Sequence, residues 1–345
     1  EELYNITLVL LDSDNEYAYR LKKNVNIVQL TFNSSFAKSL VSMYAFPAKV
    51  LKKLSVNSFI PYYDFISNCV TNVFEKTYDI AIDFYGYGSF VTAFLATKIQ
   101  AKKKATWLHD EKPYWMKSVQ KYLCEYDKIY GVSQAVVDAF CREYPHYKDK
   151  VAVFYNVIDI EEIKRKSEQD EIIPFKESFN IVTVGRLTEQ KGYDIAIKAA
   201  SILKKRKINF AWYAIGGGRD EKKLKKLVEK YCLENQFVFL GRKKNPYPYM
   251  KHCDLYIQPS RHEGYVITLV EARALCLPIL SSDIPSAREQ IQDGINGYVA
   301  ELSAEDLADK IEYLYNNPSQ RKKTVEYLKE HPIDFSTELL KLEII

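Results

Sequence analysis

A chain of 345 residues, 47% hydrophobic and 27% charged, is long enough to bury large cores and to form two domains. Its 49 basic and 45 acidic residues leave a formal charge of only +4, with no basic stripe carrying interleaved aromatics, which argues against nucleic acid as a partner. Cys69, Cys124, Cys141, Cys232, Cys253 and Cys276 form no C-x-x-C pair and read as buried free thiols. With no signal peptide and no apolar run long enough to span a bilayer, a cytoplasmic location is expected, and contact with the inner face of the cell membrane stays open.

Short apolar runs alternate with amphipathic stretches along the chain. Ile6–Leu11, Val25–Leu30, Tyr78–Asp83, Lys104–Leu108, Lys128–Val132 and Val151–Phe154 read as strands. The pattern restarts after the charged stretch Glu161–Glu171. Strands are then expected at Phe179–Val184, Phe210–Ile215, Phe237–Leu240, Leu255–Gln258, Pro278–Ser281 and Gly297–Ala300. Between them, Glu221–Leu233 is the clearest helix, with Leu224, Leu227, Val228 and Tyr231 on one face and lysines on the other. Mostly apolar strands separated by helices imply α/β architecture with parallel sheets covered on both faces. Two doubly wound halves are expected, with the ligand at the carboxyl ends of strands. The first would span residues 1–158 and the second 159–334, with 335–345 returning to the first.

One segment carries the most chemistry: Arg261-His262-Glu263-Gly264-Tyr265-Val266-Ile267-Thr268-Leu269-Val270-Glu271-Ala272. Two carboxylates flank a Gly-bearing bend that enters an apolar helix. A helix start has unpaired N–H groups and a partial positive charge, which suit an anion, and the flanking acids can hold hydroxyls. That combination would grip a sugar joined to a nucleoside diphosphate. Further motifs stand in order: Gly185-Arg186-Leu187-Thr188-Glu189-Gln190-Lys191-Gly192 after a strand, Ile215-Gly216-Gly217-Gly218 before a helix, Phe239-Leu240-Gly241-Arg242, Asn245-Pro246-Tyr247-Pro248-Tyr249-Met250, Pro259-Ser260-Arg261-His262-Glu263-Gly264, and Asp293-Gly294-Ile295-Asn296-Gly297.

On these motifs together, the chain resembles glycosyltransferase family 4, retaining enzymes of GT-B fold in which two Rossmann-like domains face across a cleft. The resemblance is strongest between Ile181 and Val299. It implies transfer of a sugar from a nucleotide-sugar, by expectation a UDP-sugar, to a saccharide or lipid-linked acceptor, in the manner of bacterial cell-surface polysaccharide enzymes. It also implies that Arg186 and Lys191 hold the diphosphate; fixed cations stabilise a leaving group more as its charge grows. Glu263 would face the transferred sugar. Glu271 would accept from the ribose hydroxyls, although Thr268-Leu269-Val270-Glu271 also fits a capping box. The phosphate cradle would comprise Gly185, Gly264 and the backbone N–H groups of Tyr265, Val266 and Ile267; the family often has Gly or Pro where Val266 stands. Arg242 lies in the segment that resembles the nucleobase-holding loop. His109, after the strand ending at Leu108, matches a histidine that touches the donor sugar, while a solitary histidine at a strand end also fits a structural role. Asp110 and Glu111 are candidate acceptor contacts. Ser286 and Glu289 would support the donor site, and Ser286 equally fits a helix N-cap.

Other features have plainer readings. Gly216–Gly218 lacks the full dinucleotide fingerprint and reads as a tight turn. Asp12-Ser13-Asp14 spells a D-x-D triplet but reads as a polar turn, so no metal and no cofactor are expected, the positive charge being supplied by Arg186 and Lys191. The stretch Phe36–Phe59 and the lysines Lys98 and Lys102–Lys104 offer basic surface for anionic lipid, with a solvated helix side as the alternative. The resemblance implies a first strand, a Gly-rich loop and a helix ahead of Tyr4, and a longer final helix after Phe335, which this sequence does not show. Two other functions fit a GT-B chain: a catalytically silent partner subunit, or a nucleotide-sugar epimerase.

Overall fold

The computed structural model describes residues 4–11, 21, 25–35, 39, 60–72, 74–86, 90–171 and 175–341. The Asp12–Asp14 triplet and, apart from Ser39, the stretch from Phe36 to Phe59 lie outside the described residues. The chain forms two compact units. One comprises Glu1–Leu108 and Pro113–Tyr130 with Ile345; the other comprises His109–Lys112 and Gly131–Ile344, so residue 158 lies within the second.

The first unit contains β1 (Thr7–Leu10), β2 (Asn26–Gln29), α1 (Ile60–Asn68), β3 (Tyr78–Asp83), α2 (Phe90–Lys98), β4 (Ala101–Leu108) and most of β5 (Lys128–Gly131). Strands β1 and β2 pair in parallel, Thr7 opposite Asn26, and β3 and β4 do so from Tyr78–Ala101 to Asp83–Thr106. Strand β4 starts three residues before the sequence expectation because its basic front half is paired. Lys102 bonds Asp79 at 2.7 Å and Lys103 lies 3.8 Å from Asp127. Lys98 donates to Asn68 and Lys104 to the Ala96 carbonyl. The basic cluster is therefore already engaged within the fold.

The second unit continues with α3 (Gln134–Glu143), β6 (Val151–Val153), α4 (Ile160–Ser167), β7 (Phe179–Val184), α5 (Tyr193–Lys205), β8 (Phe210–Ile215), α6 (Glu221–Lys230), β9 (Phe237–Gly241), α7 (Tyr247–Lys251), β10 (Leu255–Gln258), α8 (Ile267–Ala274), β11 (Ile279–Ser282), α9 (Pro285–Arg288), β12 (Tyr298–Ala300), α10 (Ala304–Asn316), α11 (Pro318–Glu330) and α12 (Ser336–Leu340). The described strands make a two-stranded sheet, a sheet in the order β3-β4-β5-β6, and a six-stranded sheet in the order β12-β11-β10-β7-β8-β9. The strand pairings of the six-stranded sheet are all parallel.

Its strands are mostly apolar because both faces are covered. Ile181, Trp212 and Ala214 point into one core with Tyr193, Leu203, Leu307 and Ile311. Their neighbours Val182, Tyr213 and Ile215 point into the other, with Met250, Leu269 and Ala272. Helix α6 ends at Lys230, earlier than the apolar pattern implies. The backbone turns at Cys232 (φ 52°), and Leu233 then enters the core as a fully buried side chain. The cysteine expectation needs correction: all six are free, but only Cys69 and Cys253 are buried, while Cys124 and Cys232 are exposed. No helix among the described residues is long and apolar enough to cross a membrane.

The strand order matters most. From β7 the chain moves outward through β8 and β9, then returns to the other side of β7 for β10, β11 and β12. The loops leaving β7 and β10 thus diverge, which opens a crevice at their carboxyl ends. Gly192 closes the first loop with φ 67°, and a Cβ there would stand 1.8 Å from the Pro259 carbonyl oxygen on the second. Gly192→Ala is therefore expected to lower stability by about 2 kcal/mol or more, from left-handed backbone strain plus displacement of Pro259. Urea unfolding checks this; an unchanged midpoint would mean that the two loops are not pressed together.

Candidate functional site

The loop after β7 is shaped by short-range bonds. Gly185 N donates to Ile215 O (2.9 Å), Leu187 N to Gly217 O (3.1 Å) and Lys191 N to Thr188 O (3.0 Å), while Leu187 is buried as a plug. The Gly216–Gly218 segment is accordingly a turn that braces this loop. Arg186 is exposed, and no hydrogen bond or ion pair among the described residues holds its guanidinium. Lys191 differs: its Nζ lies 2.6 Å from Glu263 Oε1, with side-chain exposures of 15% and 8%. In so dry a setting, removing either partner of an ion pair strands the other charge, a loss of about 3–5 kcal/mol.

The loop after β10 is held equally firmly. Arg261 clasps Asp194 with both terminal nitrogens (2.7 and 2.8 Å), and its backbone N donates to Gln190 O (2.8 Å). Gln190 Nε2 donates to His262 O (3.0 Å), and Ser286 Oγ to Glu263 O (3.0 Å). Ser286 is thus a tether for the Glu263 backbone; the N-cap of α9 is Ile284. Gly264 passes so close to His109 that a Cβ would stand 2.0 Å from the His109 carbonyl oxygen. The backbone of His109 therefore lies against Gly264. Burial holds the His262 ring below its usual range, helped by Lys112.

Helix α8 begins at Ile267 with Val266 as an N-cap that supplies no side-chain bond. The capping box does not form: Thr268 Oγ1 donates instead to Gln258 Oε1 at 2.7 Å. Val266 is buried at φ −86°, so its main chain asks for no glycine. Ile267 N is turned to Tyr265 O (3.1 Å), whereas no hydrogen bond among the described residues takes the amides of Tyr265 and Val266. Glu271, one turn inside, accepts from Tyr247 OH at 3.0 Å, and burial pushes its carboxyl up to about 7. Arg242, exposed at the end of β9, lies over Gly217. Glu289 does not face the β7 and β10 loops. It caps α3, accepting from Gln134 N and Ala135 N (both 2.8 Å) and from Tyr155 OH (3.2 Å).

Arg186, Lys191, Glu263, Gly264 and His109 are thus brought to one end of the parallel sheet, and Glu271 lies one turn inside the helix that follows. Two features were not foreseen. Glu111 is pushed up to about 7 by burial, then by Asp110, Glu289 and Glu263, and its Oε1 is buried without a partner. Gln258 sits fully buried at the end of the apolar run Leu255–Ile257, and that lone amide was the available signal. No group of three or more His, Cys, Asp or Glu among the described residues is arranged to hold a metal ion.

The fold matches solved structures over nearly the whole chain. The crystal structure of Anabaena HepE in complex with UDP and glucose superposes with a TM-score of 0.71 at 18% identity, covering 98% of this chain and 90% of that one. The fold is GT-B, with two Rossmann-like parallel-sheet units. Residues 164–331, most of the second unit, match the family model described as glycosyl transferases group 1. Over 184 residues the chain is 30% identical to the N-acetylgalactosamine-N,N'-diacetylbacillosaminyl-diphospho-undecaprenol 4-alpha-N-acetylgalactosaminyltransferase of Campylobacter jejuni, covering 50% of this chain and 49% of that protein. Over 128 residues it is 34% identical to the amylovoran biosynthesis glycosyltransferase AmsK of Erwinia amylovora, covering 35% and 31%. The chain spans about half the length of the curated relatives it matches.

The Glu271 carboxyl gives a pH test of this geometry. Its folded value of about 7 exceeds the ordinary 4.5, so the native state binds the extra proton between those values. Stability from this residue is full at low pH and falls as pH rises through 7. Glu271→Gln should therefore melt a few degrees above the parent at pH 8, with no gain at pH 4. Thermal melts across this range check it; an equal gain at both pH values would show that burial is not the cause.

Proposed function

We propose that this protein is a retaining glycosyltransferase that moves a sugar from a nucleotide-sugar, a UDP-sugar, to a saccharide or lipid-linked acceptor in cell-surface polysaccharide biosynthesis. The observation that carries the reading is the buried Lys191–Glu263 pair beside the unpaired Arg186, at the switch point between β7 and β10. The group 1 match over the same residues, and relatives named for lipid-linked and amylovoran substrates, support it.

In this reading the diphosphate lies across the β7 loop, against Arg186 and Lys191, with the Tyr265 and Val266 amides at its other side. Glu271 takes the ribose hydroxyls, in exchange for or alongside Tyr247, and Glu263 takes hydroxyls of the transferred sugar. The acceptor hydroxyl oxygen attacks the anomeric carbon on the face from which the diphosphate leaves. The anomeric C–O bond breaks, its electron pair passes to the phosphate oxygen, and that oxygen takes the acceptor proton. Arg186 and Lys191 stabilise the charge that grows on the leaving group, a task given to fixed donors in a dry site. No divalent metal is required because these two cations supply the positive charge. The lysines of α2 and β4 do not enter the proposal, since each is already held within the fold.

Incubation with a panel of UDP- and GDP-sugars tests the reading. Slow release of free nucleotide, insensitive to EDTA, is expected with at least one UDP-sugar. Arg186→Ala should lower that rate about 100-fold with little change in the melting curve, because the side chain is exposed and no hydrogen bond or ion pair among the described residues holds its guanidinium. An interconverted sugar would replace the transferase with an epimerase, and absence of nucleotide binding would point to a silent partner subunit.

A further inference from the structure

Glu263 commits only one of its two carboxylate oxygens to the protein. Oε1 accepts from Ser260 Oγ and from Lys191 Nζ, both at 2.6 Å, and no hydrogen bond or ion pair among the described residues holds Oε2. Ser260 Oγ itself accepts from Gln258 Nε2 at 2.7 Å. The Gln258 carbonyl oxygen accepts from Tyr256 OH (2.8 Å) and Thr268 Oγ1 (2.7 Å). Tyr256, Gln258 and Ser260 are fully buried.

The polarity of this chain is forced from one end. An ionised carboxylate can only accept, so the single Ser260 proton must point at Glu263. Ser260 then needs a donor on its other side, which sets the Gln258 amide with its NH2 group toward Ser260. The amide oxygen is left facing two hydroxyls, and both must donate. A flipped amide would take the Ser260 proton and set oxygen against oxygen at 2.6 Å. The backbone is tied down as well: Ser282 Oγ donates to Ser260 O, and Ser286 Oγ to Glu263 O.

We propose that Gln258, Ser260 and Thr268 are positioning residues that act through Glu263: their one-way hydrogen-bond relay pins Oε1 and thereby assigns Oε2 as the oxygen offered to the donor sugar. This rests on the glycosyl-transfer reading above. The relay has work that Lys191 cannot do alone. When a diphosphate draws the Lys191 ammonium, Ser260 still holds Oε1 and keeps the carboxylate in its rotamer. The other charged or titratable groups bearing on Glu263 are Lys191 from the β7 loop, the adjacent His262, and Glu111 from the segment of His109.

Gln258→Glu is the decisive variant because it is nearly isosteric. Protonated, the introduced carboxyl can still donate to Ser260; ionised, it takes the Ser260 proton and strips Glu263 of its donor. Relative to the parent, nucleotide release by Gln258→Glu should fall about tenfold as pH rises from about 5 to 9, in kcat rather than donor KM. Ser260→Ala should lower kcat about tenfold or more at every pH, with donor KM changed less than about threefold. A variant-to-parent ratio flat with pH, or a loss confined to KM, overturns the proposal. A parent enzyme that releases nucleotide from no nucleotide-sugar refutes the transferase reading instead. The relay is then judged by stability alone, from Ser260→Ala and Glu263→Gln made singly and together. A coupling of about fivefold or more in the unfolding constant supports it, and additivity overturns it.

Discussion

The Lys191 ammonium and the Glu263 carboxylate meet at 2.6 Å in a place where neither could remain alone. Each comes from a loop at the carboxyl end of a different strand, and those strands are neighbours only because β7 and β10 lie side by side at the point where the sheet reverses its direction of growth. The crevice is a consequence of topology: chains leaving the two strands travel in opposite directions, and no crossover fills the gap. The pair, the Arg261–Asp194 clasp and the glycine at 192 together make two divergent loops behave as one rigid wall.

Within that wall the charged groups divide by what they already hold. Lys191 is engaged and partly shielded, while Arg186 stands in solvent without a partner. An anion arriving at the crevice would meet one cation at no cost in broken bonds and would draw the second from a carboxylate that Ser260 continues to hold. Glu271 is placed differently. Burial favours its neutral form in the free protein, and the hydrogen bond from Tyr247 works the other way. Preorganised dipoles and charges of this kind act strongly because the surroundings are dry.

Much of this was legible in the linear chain. The apolar runs at 78–83, 179–184, 210–215 and 255–258 are strands with the bounds that their patterning implies, and the last three, buried on both faces, need no alternation to be recognised. The Gly185–Gly192 and Glu263–Glu271 segments stood out in the sequence by residue types and spacing, and the fold joins them through the Lys191–Glu263 pair. Local patterns failed where a distant partner decided the outcome. Thr268 has the spacing of a helix cap, yet its hydroxyl is taken by Gln258. Ser286 fits a cap and instead holds the Glu263 carbonyl. The lysines at 102–104 form the front of β4, where they pair with Asp79, Asp127 and the Ala96 carbonyl while Lys102 and Lys103 stay exposed.

By itself, then, the sequence determined the two parallel-sheet units, the helices that cover them and the identities of the residues at the crevice. The strands and helices follow from short-range apolar patterning, and the crevice residues from ordered motifs and the family resemblance that they carry. Only the tertiary structure decided which cation pairs with which carboxylate, which oxygen of Glu263 is tied, and that Gln258 and Ser260 do the tying. Lys191 and Glu263 are 72 residues apart, and their meeting depends on the order of strands across the sheet, which no local pattern encodes.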